Sequence, residues 1–581
     1  MNCACEGRGG SVNKIEPRAS SADATTRAEV MKSDESANTN DHSGAARTPR
    51  AVWVGAALLV LLTAVMAGLP VLAGLISVLK AREIPWGMAN GAELLTRTVL
   101  VSGLIATGAT LLGLPAAFVL ARRSPRGWGA WVGVLVVSVL FLPAYLPYAG
   151  LSAARAPTTM LGDVLSHWSP DAIVLVGRWL AVGGLMLAWW PLSAVLMAEG
   201  LRSSPPGLRD AMAMDGASGL AIVLTRIRLA RGWLLGAWAL VFVYGTGSAI
   251  PLHLAQIQTF SIALWRGLDS SPDVGGTIAG SWPLVAVAGA SAWALTRKGA
   301  LKRPSEIGER VEVRGRAGGG WGTLAAVLVW AISMPIPLLL LAGSIKNGSV
   351  AALGERAWRL WQENTDAVLG SAATGALVAI GTAGLAGVTA YICSTGAIGQ
   401  RVTRVVLGLF IMLALVPGMI VGCCVRLGWE LIGPAADGLT SSPGVVALAH
   451  LARFGFVGVA AGLALAGAEP AEQRAMRVLD GATGVWGWLR VQWAQTALGI
   501  GGAALCGFAL SVGEIESTVI LQPPGSESLA RLMLERLHFL KDQDLAAAGV
   551  TIALLTMAAG VVVAIVTRSI KLRSDARSGA V

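Results

Sequence analysis

Charge is scarce in this chain. Of 581 residues, 14% are Asp, Glu, Lys or Arg, against 54% that are hydrophobic. A soluble globule carries about 25% charged residues, so a water-soluble fold is excluded and a polytopic membrane protein is expected. Strand-like alternation is also missing. Continuous apolar runs satisfy their backbone groups in lipid only as helices, which excludes an outer-membrane barrel. The six cysteines form no disulfide framework. Cys3 and Cys5 have no His or further Cys beside them, and Cys393, Cys423, Cys424 and Cys506 fall in apolar runs as small packing residues. The five histidines are scattered, and there is no phosphate-binding Gly-x4-Gly-Lys-Ser/Thr loop, HExxH pair or nucleophile elbow. A membrane enzyme is therefore disfavoured.

What is present is a series of apolar runs long enough to cross a hydrocarbon core of about 30 Å. They lie near 51–79, 94–121, 128–149, 172–197, 233–252, 277–295, 321–345, 366–393, 402–428, 444–467, 496–520 and 545–567. Tryptophan is abundant (21) and tyrosine rare (4). Trp86, Trp128, Trp168 and Trp321 flank spans, where amphipathic rings favour the interface. Prolines within the runs, among them Pro70, Pro115, Pro143, Pro191 and Pro417, are expected to bend them.

The net charge of +11 follows membrane topology rather than a nucleic-acid partner. Basic residues cluster between alternate spans, as at Arg122, Arg123 and Arg126, at Arg226, Arg228 and Arg231, and at Arg568, Lys571 and Arg573. The segment 429–443 has none. The retention of Lys and Arg on the cytoplasmic side puts both termini there. Residues 1–50, rich in Ser, Thr, Asn, Asp and Ala, read as a disordered cytoplasmic tail rather than a signal peptide, with Met31 as an alternative start.

The chain is written twice. A linker at 299–320 separates a first domain, 51–298, from a second, 321–568, which is followed by a tail at 569–581. Gly113-Leu-Pro-Ala-Ala corresponds to Gly384-Leu-Ala-Gly-Val, Pro143 to Pro417, and Gly245 to Gly513, at a nearly constant offset. With six spans in each half, the duplication is parallel, about a pseudo-two-fold axis along the membrane normal. The fold expected is all-α, with about twelve transmembrane helices as two parallel six-helix repeats.

Between the fourth and fifth spans of each half lies a polar segment, Asp210-Ala-Met-Ala-Met-Asp-Gly-Ala-Ser218 and Arg474-Ala-Met-Arg-Val-Leu-Asp-Gly-Ala-Thr483. Ser204-Pro205-Pro206 and Glu469-Pro470 precede them, a favoured helix start. Gly216 and Gly481 are expected to break these helices and leave room for another backbone beside Ala217 and Ala482. Ile227-Arg-Leu-Ala230 and Val491-Gln-Trp-Ala494 then lead back into the membrane.

These segments resemble the cytoplasmic loop of binding-protein-dependent ABC importer permeases, which reads Glu-Ala-Ala, three residues, Gly, nine residues, Ile-x-Leu-Pro. Asp210-Ala211-Met212 is three residues from Gly216, and nine residues separate Gly481 from Val491. Ala230 and Ala494 replace the final proline. The resemblance, over about residues 51–570, implies the MetI-like permease fold and two coupling loops (Asp210, Ala211, Asp215, Gly216, Ala217; Asp480, Gly481, Ala482). Each would rest on one of two separate ATP-binding cassette subunits. ATP and magnesium would sit on those subunits, with no cofactor on this chain. A periplasmic or lipid-anchored substrate-binding protein would deliver cargo to the inner membrane.

The run Gly513-Glu-Ile-Glu-Ser-Thr-Val-Ile-Leu-Gln-Pro-Pro-Gly525, followed by Ser528-Leu-Ala-Arg531, is similar to fused ferric iron permeases. Thiamine permeases share part of it, and sulfate and polyamine remain alternative cargoes. No metal site is assigned. Glu514 and Glu516 are candidates for a substrate path or gate, with solvated loop carboxylates as the competing reading. Arg178, Arg426, His450 and Arg453 lie in or near spans, where charge is costly and tends to face a cavity or partner. Arg178 and Arg453 are the path candidates among them. An ion-coupled secondary transporter is the rival class. It would need buried mid-span carboxylates, whereas the acidic residues concentrate in loops.

Overall fold

The computed structural model describes residues 50–581 except 82–90, 123–127, 156–158, 203, 206, 271–273, 298–319, 344–349, 524, 539–541 and 579–581. The tail expected at 1–50, with Cys3, Cys5 and Met31, and nearly all of the linker lie outside the described residues.

The first half includes α1 (Trp53–Lys80), α2 (Gly91–Leu120), α3 (Trp128–Leu140), α4 (Tyr145–Ala153) and α5 (Pro170–Arg202), with short helices at Met160–Trp168 and Phe260–Ser270 besides. The polar α6 (Leu208–Met214) and α7 (Gly219–Leu229) follow, then α8 (Arg231–Gly247), α9 (Ile250–Leu254), α10 (Val274–Gly280) and α11 (Trp282–Thr296). The second half includes α12 (Gly320–Gly343), α13 (Thr365–Thr395), α14 (Ala397–Leu415), α15 (Gly418–Glu430) and α16 (Pro443–Ala468). The polar α17 (Ala471–Leu479) precedes α18 (Val485–Val512), α19 (Glu516–Leu521) and α20 (Asp542–Ser578).

Among the described residues no strand occurs. Eight helices among the described residues are long and apolar enough to cross a membrane, or up to twelve if each of four pairs bent at a short break is one span. Several expected spans are broken rather than kinked. The run 128–149 turns by 88° between α3 and α4 around Pro143. The run 402–428 separates at Val416-Pro417 into α14 and α15. The run 277–295 bends by 52° between α10 and α11, and α7 meets α8 at 66°. Proline supplies no N–H and its ring collides with the preceding turn, so a helix carrying it stops unless neighbours hold the freed carbonyls. Pro115 and Pro191, by contrast, stay inside α2 and α5. Pro70 follows a π-helical turn, Ala64–Gly68, which loosens the ladder just ahead of it. The spans at 233–252 and 496–520 end early, at Gly247 and Val512, before the short helices α9 and α19. At the chain's end α20 runs to Ser578, through most of the tail expected at 569–581.

Two sets of three helices pack tightly. Helices α2, α5 and α8 pack mutually, as do α13, α16 and α18. Helix α1 packs on α13 and α15 of the second half, and α12 packs on α2, α3 and α4 of the first. Trp190 Nε1, on α5, donates to Ser333 Oγ on α12 at 2.7 Å, and Trp330 Nε1 donates to Ser138 Oγ at 3.2 Å. Helix α11 packs on α14, and α20 on α3. Each half therefore carries helices that complete the core of the other.

Candidate functional site

The two polar helices end in the same way. In α6, the Gly216 N–H donates to Ala213 O (3.1 Å) and Ala217 N–H to Met212 O (2.9 Å), with Gly216 at φ 75°. In α17, Gly481 N–H donates to Val478 O (3.1 Å) and Ala482 N–H to Arg477 O (3.0 Å), with Gly481 at φ 69°. These are Schellman closures, which favour glycine because a Cβ is costly in the left-handed region. The helix break expected at each glycine is present. The starts differ from expectation. Gly207, at φ 80°, caps α6, so that helix begins after the prolines rather than on them, and Pro470 is the N-cap of α17.

Asp210, Ala211, Asp215, Gly216, Asp480 and Gly481 are exposed, and Ala217 and Ala482 half-buried. Added side chains at Gly216 or Gly481 would meet nothing within 4 Å. Large apolar side chains stand out beside them: Met214 is 85% exposed, Leu479 82% and Trp486 78%. One of the two arginines of α17, Arg477, is inside. Arg477 Nε donates to Glu469 Oε1 at 2.9 Å, and Gln492 Nε2 donates to the same oxygen at 2.7 Å. Both Arg477 and Glu469 are buried. An Arg477 Nη2 contact to Ser394 O at 3.4 Å and a Tyr391 hydroxyl bond to Thr483 O at 3.1 Å tie the loop to the end of α13. The first loop is held differently, by Arg202 Nη2 on Leu120 O (2.7 Å) and Arg226 Nη2 on Leu201 O (3.3 Å).

Of the path candidates, Arg453, Glu514 and Glu516 come together and Arg178 does not. Arg178 is exposed on α5 and lines neither of the two cavities described here. Arg453, on α16, is buried; its Nη1 donates to Glu514 Oε1 and lies 3.9 Å from Glu516 Oε2. The side chains of Glu514 and Glu516 are 10% and 13% exposed, so the solvated-loop reading fails for both. The cause is the early end of α18: the chain breaks at Gly513 and turns inward. Glu516 Oε1 accepts from the Ala249 N–H (3.2 Å) and Oε2 from the Gly418 N–H (2.9 Å). His450, one turn from Arg453, bonds Ser511 Oγ (2.7 Å) and Thr518 Oγ1 (3.0 Å) through its two ring nitrogens. Arg426 pairs with Glu430 in an exposed bridge.

A cavity of about 120 Å³ lies between the halves. Tyr145, Trp189 and Tyr244 line it from the first half, and Arg453, Glu514 and Glu516 from the second. The buried Tyr145 hydroxyl has no hydrogen-bond partner among the described residues. A second cavity of about 240 Å³ lies inside the second half, with His450, Ser511, Thr518 and Glu527 in its wall. Among the described residues no three His, Cys, Asp or Glu side chains converge as a metal-holding set. The aromatic wall went unread in the sequence, although scarcity was a signal: of four tyrosines, two line this cavity, beside breaks at Pro143 and Gly247.

No protein-family model matches the chain, and no curated protein or solved structure is significantly similar to it.

Proposed function

We propose that the chain is the permease subunit of an ATP-driven importer, built as two parallel six-span repeats about a central path. The carrying observation is the pair of polar helices, α6 and α17, closed alike at Asp-Gly-Ala with exposed apolar side chains beside them. On this reading those side chains supply the contact surface, and each helix docks on one ATP-binding subunit, in the cytoplasm with both termini. A periplasmic or lipid-anchored binding protein feeds the opposite face of an inner membrane. ATP-driven closure of the two subunits rocks the halves around the cavity between them. The Gly513–Gly525 run supports ferric iron as cargo, ahead of thiamine, sulfate or polyamine. Purification of the chain from its native membrane tests the machine: two ATPase copies per chain are expected. Titration of the cognate binding protein with Fe3+, thiamine, sulfate and polyamines tests the cargo, and no heat on Fe3+ addition would remove iron.

One observation favours a second reading. Glu514 and Glu516 are only slightly exposed beside the cavity at helix breaks, the placement an ion-coupled secondary transporter uses. Uptake into proteoliposomes holding the chain alone, driven by a proton or sodium gradient, would establish that reading and sink the importer.

A further inference from the structure

We propose that Glu516 is a positioning residue that ties the two halves together across the central cavity, and that release of its two backbone contacts is the local step that opens the cavity. The proposal rests on the reading of this cavity as the path and goes beyond it by separating the roles of the two glutamates. Glu514 is the direct partner of Arg453 and also accepts from the Ser517 N–H at 3.1 Å. Glu516 has a different task. One of its oxygens takes an N–H from the first half, Ala249, and the other an N–H from the second, Gly418.

Both donors stand at helix starts, after extended residues at Ser248 and Val416. An N–H at a helix start has no intrahelical partner, so its release unravels no helix. While bound, each is a charge-assisted bond, stronger than an amide–carbonyl one. The seam beside them is thin: a Cβ on Gly247 would meet Pro417 at 3.7 Å. Gly418 itself is needed, because a Cβ there would collide with the Arg453 guanidinium and lie 2.8 Å from Glu516 Cβ. The tie is one-sided. At the offset that relates Gly245 to Gly513, Ser248 occupies the place of Glu516, so the first half offers a neutral hydroxyl where the second offers a carboxylate.

Hydrogen–deuterium exchange on the full chain in lipid nanodiscs tests this. Glu516→Gln is expected to raise exchange about tenfold or more, as for loss of a charge-assisted hydrogen bond, in peptides covering 247–254 and 416–424 together. Glu514→Gln should leave both peptides protected. A companion readout is the labelling rate of Tyr244→Cys by a water-soluble maleimide, with the native cysteines replaced. It should rise when Glu516→Gln is added. Exchange confined to 513–521, exchange raised throughout the bundle, or an unchanged labelling rate would each overturn the proposal. Neither readout needs an ATPase or a binding protein, so failure here is distinct from failure of the importer reading.

Discussion

Arg477 and Glu469, eight residues apart, face each other at 2.9 Å in the interior, although α17 is otherwise the most water-facing type of segment in the chain. The pair fixes which side of α17 points outward, and so puts Leu479 and Met476 on the surface. Breaking a buried pair leaves the surviving charge without compensation, at a cost of about 3–5 kcal/mol. Glu469→Ala should therefore lower the thermal midpoint of the detergent-solubilised chain by several degrees. Adding Arg477→Met should recover most of the loss. A single mutant that melts like the parent would show that the pair contributes nothing.

The glycines that close the two polar helices have open space around them, so substitution is a question of backbone and partner rather than of internal packing. A side chain at their positive φ costs about 1–2 kcal/mol, too little to unfold the bundle. Gly216→Arg and Gly481→Arg should each abolish co-purification of the ATPase while the chain keeps its elution volume and helicity. Undiminished ATPase recovery with either variant would refute docking at that loop.

Exposed apolar groups should carry the contact energy. Leu479→Asp and Met214→Asp replace side chains that are more than four-fifths exposed, 82% and 85%. Each is expected to weaken ATPase association about tenfold or more, the size of a modest interface hot spot, without a change in melting. The second loop is clamped by a buried ion pair and the first by arginine–carbonyl bonds, so the Leu479 variant should have the larger effect on coupled transport.

The apolar runs were legible because a bilayer demands an uninterrupted stretch of fixed length, and the Asp-Gly-Ala breaks because a Schellman closure favours glycine. The breaks at Pro143 and Pro417 were read as bends, since whether a proline kinks or ends a helix depends on what neighbours hold the freed carbonyls. Pro115 and Pro191, which stay within helices, show the other outcome. The low exposure of Glu514 and Glu516 was hidden for a related reason. Their surroundings come from Arg453, Ala249 and Gly418, which are distant in the chain, and no local pattern marks a carboxylate that two remote amides hold. The Arg477–Glu469 pair was equally unmarked, because an arginine among Met476, Val478 and Leu479 reads as a surface residue.

The crossing of α12 onto the first half rests on a bond that can be removed without changing shape much. Trp190 is fully buried and its indole N–H donates to Ser333 Oγ. Ser333→Ala leaves that donor unsatisfied, at a cost of about 1–3 kcal/mol. A fall in thermal midpoint is expected. A midpoint within error of the parent would argue that water reaches the indole.

Two glycines at the seam between the halves should respond oppositely to alanine. At Gly418 a methyl group would collide with the Arg453 guanidinium and press on Glu516. Buried groups with fixed partners cannot retreat, and overpacking of this kind costs about 1–3 kcal/mol. At Gly247 the nearest atoms are 3.7 Å away, an ordinary contact distance. Gly418→Ala should lower both the thermal midpoint and transport, whereas Gly247→Ala should change the midpoint by less than about 0.5 kcal/mol equivalent. Side-by-side melting of the two variants checks this. Equal tolerance of alanine at both positions would mean that Arg453 and Glu516 are free to move apart, and that the carboxylates beside the cavity are not held in the arrangement described.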